Sequence, residues 1–215
     1  MSGHPPQSSK YRTDPEPLFF HLCFDKHGEF CHSFPSSFTV SVGDINHLLV
    51  LDGQPPPHRE SLCQSLYRLE FHSVEQFMRY CEARMFTYIE RQRQVMQVMK
   101  VMQSTDGKTN KLDKKMADFY AEHWSSKSLE EVAVVGNMAK FGQNPELKRK
   151  LLGTRDRMLV QTSSTDHVWG IGFKEKDAMQ NQVHWGENKV GKALMFVRKR
   201  LREQEEEDVR VACHM

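Results

Sequence analysis

Ser73-Val74-Glu75-Gln76-Phe77-Met78-Arg79-Tyr80-Cys81-Glu82-Ala83-Arg84-Met85 is the stretch that decides the fold class. Val74, Phe77, Met78, Cys81 and Met85 recur at i, i+3, i+4, i+7 and i+11, a single apolar arc with the period of an α-helix, which Ser73 opens. At about 100° per residue, Glu75 and Glu82 fall roughly 20° apart beside that arc. Two carboxylates so placed can be partly desolvated and serve acid–base chemistry. Arg79, at i+4 from Glu75 and i−3 from Glu82, makes a solvated ion-pair ladder an equal reading.

Upstream, Phe34-Pro35-Ser36-Ser37-Phe38-Thr39-Val40-Ser41-Val42 reads as a turn feeding a short alternating strand. Order is expected to begin near Leu18-Phe19-Phe20, because residues 1–17 hold four prolines and only Met1 and Tyr11 as apolar residues, the composition of a disordered lead-in. Residues 43–68, with Pro55-Pro56-Pro57, read as a surface insertion holding a small strand at Leu48 to Leu51.

Downstream, Ile89 to Met102 reads as a Met- and Val-rich helix, followed by a polar break at residues 104–110 and further helices at 111–122 and 128–141. Asn144-Pro145-Glu146-Leu147 is a helix start with Asn144 as N-cap, and Gly153 is the expected stop. A short strand is expected at Arg157 to Gln161, then loop through Trp185, then a last helix from Val190 through Leu201. The acidic run Glu203 to Asp208 reads as a solvated, fraying end.

The 215 residues carry 30 Lys+Arg against 28 Asp+Glu, a formal +2. That balance excludes a strongly basic nucleic-acid coat and an acidic disordered chain. The acids are concentrated at the end, so residues 18–202 alone hold a net +6, consistent with a phosphate-bearing ligand. The longest aliphatic runs, Leu48 to Leu51 and Val132 to Val135, are too short to span a bilayer, and no signal-like apolar core opens the chain. Five cysteines without a Cys-x-x-Cys pair suit reduced thiols in a cytoplasmic or nuclear compartment.

His21, Cys23, His27, Cys31 and His32 place five soft side chains within twelve residues, but their spacing fits no standard structural zinc pattern; free thiols and incidental histidines are the reading kept, with no metal. The most distinctive segment is Asp166-His167-Val168-Trp169-Gly170-Ile171-Gly172 with Trp185-Gly186-Glu187-Asn188-Lys189-Val190-Gly191-Lys192. An indole beside a carboxylate suits stacking a heterocycle while a polar group handles its sugar. Tryptophans capping a core, with glycines in tight turns, suit the same residues.

Taken in order, Gly28 to Val40, Ser73 to Met78, Gly136-Asn137-Met138-Ala139-Lys140-Phe141 through Leu147, Leu151-Leu152-x-Thr154, Asp166-x-x-Trp169-Gly170-x-Gly172 and Gly186-Glu187-Asn188-x-x-Gly191-Lys192 through Arg198 resemble the NADAR superfamily, also called YbiA-like. The resemblance runs from about residue 18 to 202. It implies a mainly α, compact helical domain with a few short strands that hydrolyses ribose–base N-glycosidic bonds. The implied substrates are a ribosylamino-pyrimidine phosphate or an ADP-ribose derivative, including ADP-ribosylated guanine in nucleic acid, with no metal or redox cofactor and no membrane partner. Carried over by position, the family's site carboxylate falls on Glu75, implied as the catalytic group with the loop acid Asp166 assisting, the stacking indole falls on Trp169 with Gly170, and the amide on Asn188. Trp124 matches a family tryptophan and Lys140 a family lysine; Lys140 or Lys189 would hold phosphate.

Departures from the family pattern qualify that expectation. Glu82 stands where the family has a lysine seven residues after the site glutamate, reversing the charge beside Glu75. Leu112-Asp113-Lys114 replaces a Leu-Gly-Arg segment, and Cys31-His32 replaces a polar pair before the first strand. Three alternatives follow: an N-glycosidase-type hydrolase, a degenerate member that binds its nucleotide without turnover, and an interaction module built on the Met-rich helix and the insertion.

Overall fold

A computed structural model describes residues 15–49, 66–90 and 126–214. Among these residues the chain forms β1 (Leu18–Phe20), β2 (Phe38–Ser41), α1 (Val42–Leu48), β3 (Arg68–Phe71), α2 (Val74–Glu90), α3 (Ser126–Gln143), α4 (Pro145–Gly153), β4 (Leu159–Gln161), α5 (Glu175–Ala178) and α6 (Lys189–Ala212). A single-turn 3₁₀ segment at Gly28–Phe30 and a longer one at Met179–His184, kinked at Asn181, complete the order. Six helices and four short strands make a mainly α architecture. None of the described helices is long and apolar enough to cross a membrane.

The helix expected from Val74 onward is α2. The Ser73 hydroxyl accepts the Gln76 N–H at 3.1 Å, and the Gln76 side-chain carbonyl accepts the His72 N–H at 2.7 Å, a reciprocal cap that satisfies two orphan donors. Val74, Phe77 and Cys81 are fully buried, and they meet the antiparallel pair β2–β3. In that pair Phe38 lies opposite Phe71 and Val40 opposite Leu69. The Phe71 and Phe77 rings meet edge to face at 5.1 Å. Burying each such side chain contributes roughly 1.5–3 kcal/mol.

A second apolar cluster gathers around the parallel pair β1–β4, in register Leu18 with Leu159 and Phe20 with Gln161. Phe30, Phe141, Leu151, Val190, Leu194, Val197 and Leu201 fill it, so α3, α4 and α6 each contribute a face. The helix α3 packs on α2, α4 and α6 and serves both clusters. It approaches α2 closely at Gly136, where a Cβ would stand 2.8 Å from the Phe77 ring. Trp169 packs against both clusters and closes the seam between them.

Several expectations are corrected. Residues 42–48 are helical rather than a loop leading to a strand, because the Ser41 hydroxyl caps the Asp44 N–H at 3.0 Å and Ile45 and Leu49 turn one face into the first cluster. Asn144 occupies the N-cap position of α4, but its amide donates to Ser37 O and Lys140 O instead of capping. The helix α4 stops at Gly153 as expected, with Arg155 the left-handed residue beyond it. The acidic run is not a frayed end: α6 continues through it to Ala212, with Arg200–Glu203 and Arg210–Glu207 pairs along it and Lys148–Glu205 tying it to α4. The helix expected at Ile89 to Met102 is described only through Glu90, where it continues α2; its remainder, the helix expected at 111–122, the body of the insertion and Trp124 lie outside the described residues.

Candidate active site

His32 is the node at which the elements converge. The segment carrying it runs across the N-terminus of α2, where the Glu75 N–H donates to the His32 carbonyl at 3.0 Å. From α3, the Asn137 amide nitrogen donates to Ala133 O at 2.8 Å and lies 3.0 Å from His32 Nε2. Ala133 O can only accept, so the amide is oriented with nitrogen toward both partners and its second proton goes to Nε2. His32 is therefore neutral, with its proton on Nδ1. Burial, aided by the Lys140 charge, pushes the imidazole down to about 3, in agreement with its neutral form. The Trp169 indole meets the ring edge to face, centroids 5.6 Å apart. Asn137 Oδ1 is buried without a hydrogen-bond partner, a rare condition for a native side chain.

One turn along α3, Lys140 is fully buried. Its Nζ donates to Glu29 O at 2.8 Å and Cys31 O at 2.9 Å, and it lies 5.2 Å from the Phe34 ring centroid. Burial lowers this lysine to about 7. The expected phosphate ligand is thus a strap holding the 28–34 segment on α3, its donors committed to main-chain carbonyls. Cys31 is likewise a buried thiol, pushed up to about 12 by burial and donating to His21 O at 3.1 Å. Among the described residues no group of three or more His, Cys, Asp or Glu side chains is arranged to hold a metal ion.

Trp169 is set by a tight turn. Asp166 Oδ1 accepts the Val168 and Trp169 N–H groups at 2.9 and 2.8 Å, so the loop acid fixes the indole's backbone. The turn then pairs with the start of α6. Asn188, Lys189 and Val190 donate their N–H groups to Gly170 O, Val168 O and Trp169 O. The donors that a helix N-terminus usually offers to an anion are consumed by this loop.

Asn188, in the left-handed region at φ 51°, uses both ends of its amide on β4: Oδ1 accepts from Gln161 N and Nδ2 donates to Leu159 O. Its amide therefore extends the sheet edge. Gly191 is required directly behind it, since a Cβ there would sit 2.0 Å from Leu159 O. Lys189 is only 4% exposed, with Glu187 at 3.4 Å and Glu130 at 3.9 Å from its Nζ.

Glu75 stands in the first turn of α2, partly exposed, where the helix dipole favours its charge. Glu82, one face along, is 9% exposed and pairs with Arg79 at 2.9 Å. Burial raises its carboxyl, Arg79 opposes that, and the charge of Glu75 adds to the rise. The ion pair expected from spacing is present, but it is set into the structure rather than solvated.

The structure thus links Glu75 and Trp169 through His32, which Asn137 holds; the sequence reading assigned neither His32 nor Asn137 to the site. Asn137 was visible inside the quoted Gly136–Leu147 motif, and His32 as a departure from the family's polar pair. Asp166, Gly170, Asn188 and Lys189 are joined through the bonding of this turn to the start of α6, and Lys140 secures the 28–34 segment instead.

The chain is 30% identical over 131 residues to a protein named N-glycosidase R617 from Acanthamoeba polyphaga mimivirus, covering 60% of this chain and 74% of that one. It is 36% identical over 80 residues to Protein irg-1 from Caenorhabditis elegans, covering 36% of this chain and 37% of that protein. The NMR structure of the E. coli protein YbiA matches the fold with a TM-score of 0.54 at 18% identity, over 90% of this chain and 89% of the other. The NADAR domain family matches residues 18–202. The chain belongs to the NADAR domain family.

Proposed function

We propose that this protein is an N-glycosidase-type hydrolase that cleaves a ribose–base N-glycosidic bond in an ADP-ribose-like or ribosylamino-pyrimidine phosphate substrate, with removal of ADP-ribose from guanine as one instance. The observation that carries the reading is the position of Glu75. Its backbone is pinned to His32, whose ring borders Trp169, so the helix carrying this carboxylate starts at the residue that the indole touches. The mimivirus relative named an N-glycosidase supports the same class.

In this reaction the bond from the anomeric carbon to the base nitrogen breaks and the sugar gains oxocarbenium character. A carboxylate next to that carbon stabilises the charge. Water supplies the oxygen that bonds to the anomeric carbon. Its proton passes to Glu75, and the departing base nitrogen takes up a proton as it leaves. Trp169 gives the heterocycle an apolar face, and Asp166 holds the indole in place. Neither Lys140 nor Lys189 enters as a phosphate ligand, because the first is spent on carbonyls and the second is buried between two carboxylates.

The test is base release from ADP-ribosylated guanine and from ribosylamino-pyrimidine phosphate, with Glu75→Gln alongside. The native chain is expected to release base and the variant to lose at least about a hundredfold. A native chain that binds ADP-ribose without releasing any base overturns the hydrolase reading.

That outcome belongs to a second reading, a nucleotide-binding member without turnover. Its support is Glu82, an acid on the face of Glu75 where the resemblance expects a lysine. Glu82→Lys creating turnover in an otherwise inert chain would establish it.

A further inference from the structure

We propose that His32 is a substrate-contacting, specificity-determining residue of this site, its Nδ1–H donating to a hydrogen-bond acceptor on the substrate's heterocycle beside the Trp169 indole. The inference rests on the glycosidase reading and adds to it the group that recognises the base.

The geometry over-determines this side chain. Its carbonyl is held by the Glu75 N–H, and the preceding carbonyl, Cys31 O, is held by Lys140 Nζ. Its Nε2 is held by Asn137 and its ring edge by Trp169. The two main-chain contacts anchor the segment, Asn137 and Trp169 orient the ring, and the Asn137 amide sets its tautomer. An imidazole serving only as packing would not need its proton placed. Here the Asn137 amide consumes the acceptor nitrogen, leaving the ring a pure donor at Nδ1, and Nδ1 has no hydrogen-bond partner among the described residues.

A fixed neutral donor discriminates where a charged one would not. It bonds an oxo group or a bare ring nitrogen and repels an exocyclic amine placed at the same point. Neutrality also prevents repulsion of the positive charge that develops on the sugar next to Glu75. The residue lies directly before the segment leading into β2, at the position where this chain departs from the family's polar pair. The contact would therefore set this chain's choice of base rather than the reaction shared by the family.

The experiment combines kinetics with nitrogen NMR. Asparagine places its amide nitrogen near the Nδ1 position of histidine, and glutamine places its polar end near Nε2. For base release from ADP-ribosylated guanine, His32→Ala and His32→Gln are expected to raise KM about tenfold with kcat changed less than about threefold. His32→Asn is expected to recover most of the lost affinity. In the native chain labelled with nitrogen-15 histidine, His32 should show the Nδ1–H tautomer from pH 5 to 8 without titrating, and its Nδ1 signal should move on adding guanosine monophosphate.

KM within about twofold of native in all three variants, or an Nε2–H tautomer, overturns the proposal while leaving the hydrolase intact. A native chain that releases no base but whose Nδ1 signal responds to guanosine monophosphate overturns the hydrolase reading and keeps the contact. No release and no response removes both. The NMR measurement needs no variant, so it decides the matter even if the substitutions unfold.

Discussion

The Nζ of Lys140 lies 2.9 Å from the carbonyl oxygen of Cys31 and 2.8 Å from that of Glu29, so a lysine inside α3 secures the segment that carries His32. Two carbonyls match the two protons of a neutral amine, and burial lowers this group to about 7. Below that value the amine is protonated in both the folded and unfolded chain, and the folded state bears the full cost of the buried charge. Between about 7 and the ordinary lysine value the folded chain binds fewer protons, so stability rises with pH. Lys140→Met should destabilise by about 2–4 kcal/mol through two unpaired carbonyls. The native advantage over this variant should grow between pH 7 and 9 by up to about 1.4 kcal/mol per unit. Chemical denaturation of both proteins across that range measures it.

Asp166 serves the turn through Oδ1 alone, accepting two backbone N–H groups. Asparagine retains a carbonyl acceptor at that place. Asp166→Asn should therefore keep base release within about threefold of native, whereas Asp166→Ala should lose about 1–2 kcal/mol of stability and displace Trp169. A collapse of activity in the asparagine variant, with its melting temperature preserved, would show that the charge itself acts on substrate.

Gly191 and Gly153 form a contrasting pair. A methyl at Gly191 would meet Leu159 O and the Asn188 amide, while one at Gly153 meets nothing within 4 Å. Gly191→Ala should cost about 1–3 kcal/mol or more, prying α6 from β4. Gly153→Ala, at a helical position of α4, should be neutral or stabilise by up to about 1 kcal/mol. Thermal melts of the two variants in parallel provide the comparison.

Glu82 is an acid whose carboxyl is raised in the folded chain, first by burial and further by Glu75. The folded state binds the proton more tightly than the unfolded state, so this group's contribution declines as pH rises from the ordinary glutamate value through the raised one. Glu82→Gln should accordingly stabilise by about 1 kcal/mol at pH 7, with the gain fading toward pH 4. Loss of stability at pH 7 would mean that the Arg79 pair outweighs the burial.

How far the sequence could be read depended on where each partner lay. The helix from Val74 was legible because its apolar period and its Ser73 cap are local. Trp169 and Glu75 were legible through ordered motifs. The helix at Val42 was not, because a seven-residue element beside a proline-rich stretch shows too little period. Asn188 looked like a ligand because its amide partners, Leu159 and Gln161, lie on a strand 27 or more residues away, and their register is set only on folding. Lys140 was read as a phosphate holder because one charge among apolar neighbours gives no sign of two carbonyls contributed from residues 29 and 31. Local chemistry was readable, but the assignment of buried polar groups to main-chain partners was not.

The parallel pairing of Leu18–Phe20 with Leu159–Gln161 has a consequence for how the chain acquires its shape. The first strand can find its partner only after about 140 residues more have been made, and closing so long a loop must precede any reward from the contact. During synthesis Phe20 and its neighbours stay exposed until β4 emerges. The N-terminal half released alone would present an unpaired apolar edge, the kind of surface that chaperones bind and aggregates grow from.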